Sequence, residues 1–230
     1  MDAKKFVADI VADNQALFQA SQENVKAYFD SKPAQEELVE HFIGRMVNER
    51  MNMVEISKAI ADMPADADPV ELQLLAQQAA DEAVHFRLVK EVIEHIQGSP
   101  VDVEKAIAAE AAKPTAKGAG LLAKYGAETD PVALAAYQLV AEGRAEAVWN
   151  TMADCIEDTF ISGAYRKIAK DEGFHSKIGA RKLEQLITKE NANRVQTLVT
   201  AMRKDLYEIS CKNTVATESG KQLVADAYGW

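Results

Sequence analysis

The sequence predicts an all-α protein: four long helices in two pairs, joined by a long crossover, with additional N- and C-terminal helices. Three observations carry that expectation. Apolar residues recur at helical spacing almost from end to end, and no stretch alternates as a strand would. Only 6 Pro and 11 Gly interrupt the 230 residues. Those breakers cluster at a few points, which divide the chain into segments of bundle-helix length.

In chain order, Phe6, Ile10 and Leu17 begin an N-terminal helix that breaks near "DSKP". Pro33, Gln35, Glu36 and Glu37 open the first long helix, whose apolar series includes Phe42, Met46, Met53, Ile56 and Ile60. It stops before "MPADADP", where Pro64 and Pro69 bracket a loop and Glu71 falls in the next first turn. The second long helix spans about Val70 to Ile96 and ends at Gly98 and Pro100. Residues 101–129 read as the crossover, a short helix followed by "KPTAKGAGLLAKYGAETDP". Its glycines follow no strand, so a flexible connection is preferred to a phosphate cradle. Long helices over about 131–157 and 160–188 follow. Asn191 then opens another with Val195, Leu198 and Met202, before a short C-terminal segment. The whole chain reads as one domain, 1–230, with the bundle at about 34–188.

Composition excludes several functions. A net charge of −10 offers no basic footprint for nucleic acid or an anionic membrane. The N-terminus lacks a signal-type apolar stretch, and no run approaches a membrane span. Cys155 and Cys211 form neither CxxC nor a disulfide ladder, which fits a reducing, cytoplasmic setting.

One repeat stands out. "ADEAVHFRL" and "AKDEGFHSK" place Asp81, Glu82 and His85 in the same order as Asp171, Glu172 and His175. The chain has only four His, so two with Asp-Glu at the same offset is a poor coincidence. Glu and His three residues apart project to one side of a helix. In the preceding helices, Val47-x-Glu49 aligns with Val140-x-Glu142, adding one Glu to each copy. Glu146, one turn further on, is the rival to Glu142. The expected constellation is therefore Glu49, Glu82, His85, Glu142, Glu172 and His175, pointed at one interior volume. Four carboxylates in an apolar core need counter-charge, and two divalent cations supply it.

That pattern resembles the ferritin-like di-iron carboxylate superfamily, in which two helices give one Glu each and two give Glu-x-x-His. Within it the chain is similar to the phenylacetyl-CoA epoxidase-like proteins and, in size and helix spacing, to the aldehyde-deformylating oxygenases. The resemblance implies a ferritin-like bundle with two Fe ions, or alternatively two Mn ions. It implies a non-haem di-iron oxygenase or oxidase that activates O2 to oxidise a small organic substrate. An external electron donor such as a reductase or ferredoxin is expected, and a homodimer is the expected assembly. It also places Asp81 and Asp171 against the metal-bound imidazoles. Alternatives on the same ligand set are a di-manganese catalase or rubrerythrin-like peroxidase, and a ferritin-like iron store. His41 reads as a core or pocket residue rather than a ligand. Phe86, Phe174 and Trp149 are candidates to line a cavity or simply to fill the core. His95, in a last turn, reads as a helix-end residue.

Overall fold

The computed structural model describes residues 1–113, 121–127 and 129–230, and all regular structure among them is helical. Gly118 and Gly120 of the expected crossover lie outside the described residues. The chain divides into two compact units, one of Met1–Lys32 with Ala116–Trp230, the other of Pro33–Thr115.

The Pro33–Thr115 unit contains α3 (Gln35–Ala61), α4 (Pro69–Gln97) and α5 (Val103–Ala112). Its starts follow from local chemistry. Glu37 accepts a hydrogen bond from the Ala34 amide at 2.8 Å, and Asp68 accepts from the Val70 amide at 2.9 Å with Pro69 opening α4. Gly98, at φ 70°, ends α4 in the left-handed turn that glycine adopts without strain. The seven-residue link from α3 makes α3 and α4 an antiparallel pair, and their facing sides bury Phe42, Met46, Ile56, Leu75, Val89 and Ile93. At the end of α5, Lys113 Nζ reaches Glu110 at 2.8 Å and Glu40 of α3 at 3.2 Å.

The other unit comprises α1 (Ala3–Asp13), α2 (Gln15–Asp30), α6 (Leu121–Lys124), α7 (Pro131–Tyr137), α8 (Gly143–Cys155), α9 (Thr159–Leu186), α10 (Ala192–Asn213) and α11 (Glu218–Tyr228). A π turn, Gln138–Glu142, joins α7 to α8. Its core gathers Ile10, Leu17, Leu139, Leu183, Val199, Met202 and Leu206 from five of these segments.

Two expectations about elements are corrected here. The single N-terminal helix is two, broken at Asn14, because distant side chains satisfy the break. Buried Arg203 of α10 donates to Asn14 Oδ1 (2.7 Å) and to the Ile10 carbonyl (3.1 Å), placing a cation at the C-terminus of α1. The Tyr228 hydroxyl donates to the Asp13 carbonyl at 2.5 Å and accepts from the Leu17 amide at 3.1 Å. One hydroxyl thus serves an orphan group on each side of the break. The helix expected at 131–157 is likewise interrupted by the π turn, which no propensity marks.

Candidate metal centre

Within the Pro33–Thr115 unit, Glu49 comes from α3, and Glu82 and His85 from α4. Antiparallel pairing brings a residue near the middle of α3 beside one near the middle of α4. His85 Nδ1 lies 3.5 Å from Glu49 Oε2 and 3.6 Å from Glu82 Oε2. All three side chains are buried, His85 and Glu82 completely.

In the other unit, Glu172 and His175 share a face of α9, with His175 Nδ1 3.2 Å from Glu172 Oε2. Glu142 is the last residue of the π turn. Its placement depends on a close approach between α9 and that turn. A Cβ at Gly179 would stand 2.6 Å from the Leu139 amide nitrogen and 2.7 Å from the Ala135 carbonyl oxygen, so backbone meets helix face directly. Ser176 Oγ, one residue after His175, donates to the Leu139 carbonyl at 3.1 Å, occupying an acceptor within the widened turn. Glu142, Glu172 and His175 are all buried.

Each unit therefore assembles two carboxylates and one imidazole that offer ligand atoms within 4.8 Å of one another. The spacing suits a cation. Donors about 2.1 Å from a first-row ion are separated by roughly 3.0 Å at cis octahedral positions and roughly 3.4 Å in a tetrahedron. The observed 3.2–3.6 Å separations fall close to that range. Burying two carboxylates together is costly unless a positive charge joins them. A divalent ion would balance each half-site's two carboxylate charges and use the imidazole as a neutral ligand.

The remaining candidates separate clearly. Glu146 is exposed on α8, and its carboxylate rests over Gly173, where a Cβ would come within 2.6 Å of it. Asp81 accepts from Gln77 Nε2 at 3.0 Å, and Asp171 pairs with Lys167, each one turn back on its own helix. Trp149 is buried against Tyr165, ring centroids 5.0 Å apart. Phe86 is half-buried, whereas Phe174 is exposed, because a residue two positions after Glu172 points to the far side of α9. His41 is half-buried, with its ring edge-on to Phe42 at 5.3 Å. His95 is exposed in the last turn of α4. Burial, then Asp30 and Asp154, pushes the Cys155 thiol up.

Two polar residues escaped the sequence reading: Asn52, buried on α3 one turn after Glu49, and Gln78, fully buried on α4 one turn before Glu82. Their signal was phase. Asn52, rather than Met53, continues the buried stripe of α3.

The sequence matches no protein-family model and no curated protein. Among solved structures, the chain is similar to a TenA homolog from Pseudomonas syringae pv. tomato, with a TM-score of 0.65 and 12% sequence identity. The likeness covers 90% of this chain and 92% of that one. It is a likeness of fold, and it extends well beyond residues 34–188. The expected membership of the ferritin-like di-iron carboxylate superfamily is therefore corrected. The O2-activating oxygenase or oxidase goes with it, as do the catalase, peroxidase and iron-storage alternatives that rested on the same resemblance. The physical reason is that Glu-x-x-His reports only the face of one helix. Helical periodicity says which side is buried and is silent on how helices connect. No helix among the described residues is long and apolar enough to cross a membrane.

Proposed function

We propose that the chain is a metalloprotein that binds two divalent transition-metal ions, one at each half-site, and that it is an enzyme acting on a small molecule at those ions. One observation carries this reading: a buried Glu, Glu, His set occurs twice, with donor separations that suit a first-row ion. The donor set is all oxygen and nitrogen, which suits iron or manganese and gives no role to a thiolate. Three protein residues per ion leave coordination positions for an outside ligand, the feature that separates catalytic from purely structural sites. Glu49, Glu82, Glu142 and Glu172 supply charge neutralisation, while His85 and His175 fix direction. The likeness to the TenA homolog supports the architecture; no activity is taken from it.

Protein isolated with its native metal should contain about two transition-metal ions per chain by elemental analysis. Stoichiometry near zero after anaerobic reconstitution with Fe(II) and with Mn(II) would sink the proposal. Electron paramagnetic resonance of the manganese form then tells whether the ions share a ligand, since exchange coupling replaces the six-line signal of isolated Mn(II). For the enzymatic part, loaded protein and the His85→Ala variant are incubated with a small-metabolite extract. One compound should be consumed by the first alone; identical extracts would count against catalysis.

A further inference from the structure

Asn52 is only 8% exposed, and its carboxamide oxygen is inaccessible with no hydrogen-bond partner among the described residues. Buried carbonyl oxygens are almost always partnered, so one left open calls for a donor from outside the chain. Its place says which donor. Asn52 follows Glu49 by three residues on α3, about 60° around and about 4.5 Å along the helix. Because α4 runs antiparallel, one turn forward on α3 corresponds to one turn back on α4, where Gln78 is fully buried before Glu82. Asn52 and Gln78 thus lie one turn from Glu49 and Glu82 on their own helices, in the same direction along the antiparallel pair.

The other half-site carries no amide at these two positions; its buried amide, Gln138, stands one turn before Glu142 instead. When Glu49 is aligned with Glu142 and Glu82 with Glu172, the positions of Asn52 and Gln78 correspond to Ala145 and Ile168. Packing alone does not require an amide there, and an amide adds no charge to a set that already holds two carboxylates.

We infer that Asn52 is a positioning residue: its carboxamide oxygen accepts a hydrogen bond from the outside ligand of the ion held by Glu49, Glu82 and His85. That site takes small molecules that carry an N–H or O–H beside their metal-binding atom. The inference rests on the proposed metal binding, and its test separates the two.

The probes are acetohydroxamate, which chelates through two oxygens and retains an N–H, and N-methylacetohydroxamate, which lacks it. Both are titrated into Co(II)-loaded protein and followed by the cobalt absorption bands after the cobalt content is measured. Wild type should bind acetohydroxamate about ten-fold more tightly, equivalent to about 1.4 kcal/mol. Asn52→Leu should keep two cobalt ions and lose the preference, and Asn52→Asp, which retains an acceptor, should keep it. Equal affinity for the two probes in wild type, binding of neither, or an unchanged preference in Asn52→Leu overturns the role of Asn52 and leaves metal binding standing. Absence of cobalt overturns both. Should the Leu variant fail to fold, the wild-type comparison alone decides.

Discussion

The two buried Glu, Glu, His clusters share their residue types and differ in almost everything around them. In the Pro33–Thr115 unit, Glu49 sits in an uninterrupted α3, and Val89 fills the position seven residues after Glu82. In the other unit, Glu142 ends a π turn, and Gly179 takes the place of that valine. Buried amides stand one turn from Glu49 and Glu82 in the first set; alanine and isoleucine stand at the matching positions of the second. The lesson is that gathering three such side chains is a small demand on a helix pair. Quite different packing solutions deliver the same donors, so the surroundings carry the specialisation.

The comparison is broken most forcefully at the imidazoles. His85→Ala and His175→Ala should each remove one of two ions, lowering that ion's affinity more than 100-fold, a loss of over about 2.7 kcal/mol. Equilibrium dialysis with elemental analysis reads this directly. Loss of both ions from either variant would mean that the half-sites do not act independently.

Next in size is the stability that metal confers. Saturating metal at about 100 times its dissociation constant stabilises the folded chain by about 2.7 kcal/mol per site. For a chain of this length each kcal/mol raises Tm by roughly 2–4 °C, so chelation should lower Tm by roughly 10 °C or more. Scanning calorimetry with and without chelator measures it, and an unchanged Tm contradicts metal binding.

Gly179→Ala sharpens the contrast in packing. A methyl group at 2.6–2.7 Å from backbone atoms forces α9 away from the π turn, at a cost of about 1–3 kcal/mol. Urea unfolding reads that loss, and Glu142's ion should weaken with it, whereas the ion at Glu49 should be unaffected. Smaller again is the difference between neighbours on α8: Glu142→Ala should cost an ion, while Glu146→Ala, at an exposed side chain, should leave metal content unchanged. His95→Ala should alter nothing that these assays measure.

The all-helical class was legible because periodicity and breakers are local quantities. Proline and aspartate at the start of α4 and glycine at its end act within a few residues, so its boundaries were close. The pairing of Glu82 with His85 and of Glu172 with His175 was legible as a repeat, since a Glu and a His three apart share a face of any helix. What failed to show was whatever depends on distant partners. The break at Asn14 requires Arg203 and Tyr228, roughly two hundred residues away, and nothing around Asn14 announces them. The π turn depends on Gly179 and Ser176 of another helix. The family expectation failed for the same reason: connection order is not written into the face of a helix.

The Tyr228 hydroxyl bond also sets an order of events during synthesis. Its partners, Asp13 and Leu17, leave the ribosome 215 and 211 residues ahead of the hydroxyl. The unit they close is interrupted by residues 33–115, which form a continuous unit of their own. Emerging at about 5–20 residues per second, the interior unit has several seconds in which to fold while α1 and α2 wait, amphipathic and without the helices that cover them. Residues 3–30 are therefore made well before the helices that cover them, and a chaperone holding this nascent chain has its task there.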